Sequence, residues 1–358
     1  MGGTSSRNQP PPELAQHCTA GVALEKTSYV AGEIVRGYVQ VDLRARIRCE
    51  NVFAFLACDA KTKVHYTTHS GSGKNRRTHH HYAHEQQNVF LLRAHVAQFA
   101  SSWAEPGGYQ FPFEFQLPLE APSTMHIPGT SNYCFVSHSV RVELQGCGAN
   151  QAKQQQSWPV HSVLFNVNGA SPVGAPTTQS QVKPVNVCCC ISKGTVELDS
   201  QLSSNTCQTG GQVGVTLSVR NNSSATCSGV VVSVRELREW SARGHRHVVD
   251  APCVEGLAHP QINPNETVGP VTAQVALPPG CCNPSVLLAG SCGISVSHRV
   301  RVQCKTACCV TDPFNDTTIC VHGGPPSADV FLAQATALGA LDGQRTEGSA
   351  GFEKGGGA

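Results

Sequence analysis

The sequence predicts an all-β protein of two tandem immunoglobulin-like antiparallel β-sandwiches (an arrangement with disordered termini), and three observations carry that prediction. Val136–Leu144 (VSHSVRVEL) and Val296–Cys304 (VSHRVRVQC) agree at six of nine positions, at an offset of 160 residues. Apolar and polar residues alternate through both, the period of a half-buried strand. The same offset relates Leu117-Pro118 to Leu277-Pro278, each closing an alternating run. Proline cannot donate to a ladder, so a strand stops at corresponding points, and Pro122-Ser123 and Pro284-Ser285 follow as matching pairs. Finally, Gly32 in SYVAGEIVRGYVQVDL matches Gly210 in NTCQTGGQVGVTLSVR at an offset of 178, each glycine at a turn before an alternating strand.

In chain order, residues 1–19 are polar and read as a disordered segment. The first sandwich follows over 20–168. Its offset from the second copy falls from 178 to 160, so the first copy carries an 18-residue insertion. The segment His65–His84 (HYTTHSGSGKNRRTHHHYAH) lacks apolar periodicity and is assigned to that insertion as a solvated loop. Residues 169–185, opening GASPVGAPTTQSQ, read as a flexible linker, and 186–324 as the second sandwich. Residues 325–358 end in TEGSAGFEKGGGA, which buries too little surface to order itself. Gly, Pro, Asn and Ser turns separate strands in both halves, and neither half shows a helical period.

The chemistry is sparse. Of 358 residues 14% are charged and the net charge is +2, which gives no electrostatic case for nucleic acid. No apolar run reaches the ~18 residues of a membrane helix. The opening residues lack the apolar stretch of a secretory signal, so the expected location is the cytosol, where thiols stay reduced. The sequons at Asn221, Asn222, Asn265 and Asn315 are then incidental. Eighteen cysteines include the run Val187–Gly194 (VCCCISKG). In a strand, Cys188 and Cys190 would share one face and Cys189 the other. Zinc ligands favour spacings of two to four residues, and no CxxC occurs. The plain reading is small buried hydrophobes; the alternatives are metal at Cys188 and Cys190, lipidation, or thiol redox chemistry.

His79, His80, His81 and His84 form a second metal candidate. Beside Lys74, Arg76 and Arg77 they also suit an anionic lipid surface or acidic tails, since imidazoles charge on acidification. Met1–Ser6 fits the myristate acceptor pattern at Gly2; one acyl chain binds membranes only marginally, so a second contact is required. No nucleophile elbow, P-loop, HExxH or dinucleotide fingerprint is present, so neither catalysis nor a cofactor is expected.

These residues resemble the arrestin family, specifically its arrestin-domain-containing (alpha-arrestin-like) branch. The likeness rests on Tyr29–Gly37 (YVAGEIVRG), Tyr109–Pro118 (YQFPFEFQLP) with Pro122-Ser123, Lys183–Cys190 before Gly194–Leu198, then Gly210 and Asn221–Ser223, and spans 20–322. Gly32, Pro118, Gly210 and Pro278 are its fold signature here. Cys207 and Gly211 depart from it, standing where the first copy has Tyr29 and Glu33. The resemblance implies a cytosolic, non-enzymatic adaptor that binds tails of membrane proteins and links them to endocytic, sorting or ubiquitination machinery, with peripheral contact at the plasma membrane or endosomes. The branch's Pro-Pro-x-Tyr motif is absent: all six tyrosines lie at or before Tyr133, and Pro11-Pro12-Glu13-Leu14 lacks the ring. A retromer-type coat subunit of the same fold is the alternative binding protein. A metal-binding or redox-sensing thiol protein is the alternative of another class.

Overall fold

The computed structural model describes residues 16–100, 102–147, 157–188, 191–307 and 309–323. Eleven strands make the first half: β1 Cys18–Leu24, β2 Ser28–Val30, β3 Ile34–Leu43, β4 Ile47–Arg48, β5 Asn51–Ser70, β6 Arg77–Gln98, β7 Trp103–Ala104, β8 Gly107–Gln116, β9 Met125–Ile127, β10 Tyr133–Gln145 and β11 Ser157–Asn168. One sheet has the order β1-β3-β8, the facing sheet β2-β11-β10-β5-β6, with β9 on β10 and a small β4-β7 pair. The second half repeats this with β12 Thr177–Val187, β13 Ile191–Leu202, β14 Thr206–Gln208, β15 Gln212–Ser223, β16 Gly229–Ala242, β17 His245–His259, β18 Thr267–Ala276, β19 Val286–Leu288, β20 Ile294–Lys305 and β21 Phe314–His322. Its sheets run β12-β13-β15-β18 and β14-β21-β20-β16-β17, with β19 on β20.

Alternation builds each core. In β3, Val35, Val39, Val41 and Leu43 point inward while Arg36, Tyr38, Gln40 and Asp42 face solvent. They meet Val140, Val142 and Leu144 of β10 and Trp158 and Phe165 of β11. Val213, Leu217, Val219, Val300 and Val302 fill the corresponding positions in the second sandwich.

The register identifies equivalent residues. Tyr29 sits opposite Val167 and Cys207 opposite Val321, each across a parallel three-residue contact. Both are buried, so the thiol takes the ring's place in the second core. Gly32 and Gly210 have φ of +83° and +85°, a conformation that strains any residue with a Cβ. The Leu117 N–H donates to Glu33 O at 3.0 Å and the Leu277 N–H to Gly211 O at 2.8 Å, which fixes each Leu-Pro corner on its turn. One pairing expected from sequence shifts. Met125 and Val286 hold the same place beside β10 and β20, so Ser285 corresponds to Thr124, one residue beyond Ser123.

Four expectations give way to the structure. His65–His84 is the end of a long hairpin, in which β5 and β6 stay paired from Asn51↔Gln98 to Ser70↔Arg77 around a single 3-10 turn, Gly73–Asn75. Both faces are exposed towards the tip, so no apolar period marks the strands; the ladder propagates from the buried base at Val64 and Ala83. The linker 169–185 shortens to 169–176, because β12 occupies Thr177–Val187 as an edge strand. An edge exposed on one side tolerates polar residues and Pro184, so its composition mimics a linker. Cys188 begins the turn between β12 and β13, with φ +47° and an exposed side chain, and not a strand interior; Cys189 and Cys190 lie outside the described residues. Lastly, β1 starts at Cys18, inside the segment 1–19.

The two halves share a third core. Cys58, Ala60, Val64, Ala83, Met125, Ile127, Cys134 and Val136 of the first pack on Trp240, Ala242, Val286, Cys292, Ile294 and Val296 of the second. Thr62 Oγ1 donates to Ser241 O at 2.6 Å and Trp240 Nε1 to Lys63 O at 3.1 Å. Tyr66 stacks on His245 with ring centroids 3.6 Å apart.

Candidate functional site

A protein that grips other chains needs unpaired backbone, and most edges here are guarded against it. Edges are blunted by shortness, charge or proline. β2 and β14 have three residues each. β8 carries Pro112 and Glu114, β12 Lys183 and Pro184, β18 Pro270, β17 Pro252 with Asp250 and Glu255, and β6 Arg77, Arg93 and its histidines. β1 (CTAGVAL) has no charge, no proline and seven residues. Its ladder partner among the described residues is β3 alone, from Cys18↔Leu43 to Leu24↔Gly37. Cys18, Ala20, Val22 and Leu24 pack on the first core, while Thr19 and Ala23 are exposed. A strand added there would place alternate side chains along the apolar seam and alternate ones in solvent.

None of the sequence candidates lies on this strand. Consecutive histidines on β6 fall on opposite faces, so the four do not converge. His79 bonds Ser70 Oγ at 2.8 Å, His81 bonds Thr68 Oγ1 at 2.8 Å, and His84 lies 3.4 Å from the Tyr133 hydroxyl. His80 hydrogen-bonds another imidazole, His65, at 2.9 Å, and the rings of His79 and His81 lie 6.5 Å apart on one face. Among the described residues no three His, Cys, Asp or Glu side chains are placed to hold a metal. Cys188 donates its N–H to Cys309 O at 2.9 Å. Gly2 and Cys190 lie outside the described residues. Asn221 and Asn315 are buried, their amides spent on the carbonyls of Ala225 and Leu198, which makes two of the sequons structural.

His138 and His298 stand at the same position of the repeated stretch VSH, and the sequence does not show what each touches. Each imidazole Nδ1 meets the hydroxyl of its equivalent residue, Thr124 at 3.0 Å and Ser285 at 2.9 Å. Those hydroxyls in turn accept the N–H groups of Val167 and Val321, tying the loop after each Leu-Pro corner to the sheet. The far nitrogens differ. His298 Nε2 lies 3.1 Å from Glu236, whose fully buried carboxylate also takes Arg238 and the Asn283 N–H (2.6 Å). Burial by itself would raise the Glu236 carboxyl; the hydrogen bonds from His298, Asn283 and Arg238 outweigh it and hold the group down to about 2. In the first sandwich the residue across from His138 is Cys58, and His138 Nε2 has no hydrogen-bond partner among the described residues. Burial beside Phe90 and Phe165 drops that imidazole to about 3.

An acid response follows. His138 stays neutral in the folded chain while its unfolded counterpart takes a proton below pH 6.5, so stability falls as pH drops from 6.5 towards 3. At pH 5 the expected loss is about 2 kcal/mol, from 1.36 kcal/mol per unit. Thermal unfolding at pH 7 and pH 5 checks it, and His138→Leu, which removes the titrating ring, should flatten the difference.

The described residues thus form two sandwiches joined through a buried seam, the first with a sheet edge that carries neither charge nor proline. Two family models match in tandem, the arrestin (or S-antigen) N-terminal domain over residues 18–165 and the arrestin (or S-antigen) C-terminal domain over residues 192–325. The chain belongs to the arrestin family. A search of curated proteins finds no match. No helix among the described residues is long and apolar enough to cross a membrane.

Proposed function

We propose that this arrestin-family chain is an adaptor that receives an extended segment of a membrane protein's cytosolic tail on the free edge of β1 and links that cargo to endocytic, sorting or ubiquitination machinery. The observation that carries the reading is the contrast among edges: every long edge but β1 bears proline or charge, the devices that prevent strand addition. Main-chain hydrogen bonds would supply affinity, and the apolar line Ala20, Val22 and Leu24 would select tails with alternating apolar residues. The sequence also fits a membrane-proximal role, with Gly2 as an acyl acceptor and the hairpin residues Lys74, Arg76 and Arg77 as a basic second contact.

The test adds guards to β1. Thr19→Lys with Ala23→Lys alters two exposed positions, so stability should move by no more than about 0.5 kcal/mol. Proximity labelling in native cells with the unaltered chain should mark membrane-protein tails, and the doubly substituted chain should lose them. An unchanged set of labelled proteins would remove β1 from the reading. A fixed, stoichiometric set of soluble partners would favour the coat-subunit alternative.

A further inference from the structure

The internal duplication separates what a sandwich needs from what has been added to one of them. Cys58 lies across from His138 and Glu236 across from His298, so Val64 of β5 corresponds to Ala242 of β16. The second copy turns at once, Ala242 pairing with His245 around Arg243-Gly244. The first copy runs out through residues 65–82 before Ala83 closes the pair with Val64. The fold does not require this extension, and every residue from Thr67 to His80 is exposed. Five of the chain's 16 histidines lie within it, and no Asp or Glu does. That donor set points away from magnesium and calcium, which take oxygen, and towards ions that take imidazole nitrogen.

The ladder sorts these imidazoles. The pairs His65↔Tyr82, Thr67↔His80 and His69↔Thr78 put His65, His69 and His80 on one face, and His79 and His81 on the other. On the second face Nε2 of His79 and of His81 each goes to a hydroxyl of β5, Ser70 or Thr68. On the first, His69 is taken by the Thr78 hydroxyl at 3.1 Å. His65 and His80 are diagonal neighbours across the strands and turn to each other. His65 Nε2 lies 2.9 Å from His80 Nδ1, the rings 13° from parallel with centroids 5.1 Å apart, and Tyr82 also packs on His65 at 5.3 Å. Two nitrogens bound to one ion at about 2.0–2.1 Å and about 90° apart are separated by about 2.9 Å, against about 3.3 Å at a tetrahedral angle. Lys63, the adjoining cation on this face, is turned to Thr130 O at 2.8 Å.

We infer that His65 and His80 form a binding site for a divalent transition ion that takes its ligands at right angles, copper(II) or nickel(II), with water filling the remaining positions. The ion replaces the hydrogen bond between the rings. The accepting nitrogen already offers a lone pair, and the donating ring moves its hydrogen to its other nitrogen. The bound ion ties β5 to β6 in the stretch where no core holds the strands together.

Copper(II), added to the full chain after its exposed thiols are alkylated, is the probe, and electron paramagnetic resonance counts the imidazole nitrogens around it. The expected result is one site per chain with two imidazoles. His65→Ala and His80→Ala should each leave one imidazole and weaken binding by about 100-fold, no less than the upper end of what losing an outer-shell partner costs. His79→Ala with His81→Ala should change neither the count nor the affinity. Two imidazoles that persist in His65→Ala or His80→Ala, or that vanish when His79 and His81 are replaced, would overturn the assignment, as would a parent chain that binds through one imidazole at most. Thermal unfolding without metal is compared with the parent for each variant; if the half-buried His65 proves to matter for folding, the exposed His80 still decides.

Discussion

Glu236→Ala is expected to destabilise the second sandwich by about 3–5 kcal/mol, the range for breaking a buried ion pair by removing one partner. The carboxylate is fully buried and takes donors from three residues: His298, Arg238 and Asn283, the last through both its backbone N–H and its side-chain amide. Deleting it strands the Arg238 guanidinium, three-quarters buried, and leaves the Asn283 N–H without an acceptor. The first sandwich shows how the fold manages without this anion. Cys58 and Ala60 stand where the second has Glu236 and Arg238, so neither charge is present. Glu236→Cys combined with Arg238→Ala should therefore cost less than Glu236→Ala alone, and chemical denaturation of the two variants against the parent measures the difference. Equal costs for single and double variants would mean that the network is not what holds the site. Acid acts on the same carboxylate. A depressed carboxyl contributes stability above its unfolded value of 4.5, and that contribution drains away as pH falls towards 2.

The second large effect belongs to the seam. Trp240→Ala should cost about 3–5 kcal/mol, the range for truncating a buried aromatic. Trp240 is 2% exposed, packs in the core shared by both halves, and donates to Lys63 O. The loss falls on the joint between sandwiches, since neither of the two separate cores includes this side chain. Calorimetry should resolve two transitions in the variant where the parent shows greater cooperativity, and protease should cut faster within residues 169–176. A variant that melts as the parent does would show that the seam contributes little coupling.

The duplication made the architecture legible. A repeat such as VSHSVRVEL against VSHRVRVQC reports alternation twice, and glycines that must adopt φ near +84° fall at matching turns, Gly32 and Gly210. The core followed from the same period, because one face of each strand is buried. What alternation cannot report is a strand with no buried face. The histidine hairpin beyond Val64 is of that kind, and β12 turns only half-buried polar residues inward before Val185, so neither shows an apolar period. Nor does local sequence show that Glu236 lies across from His298, or that Trp240 reaches Lys63, since each contact joins strands far apart in the chain.

The amino-acid order alone determined two sandwiches, their corners and the residues that face inward, because these depend on a period of two and on backbone conformations open to few residue types. The tertiary structure decided which edge stays open, which histidine gains a carboxylate and what Trp240 packs against. Those are matters of register between distant segments, and register is settled by packing whole faces against each other, not by any one stretch of chain.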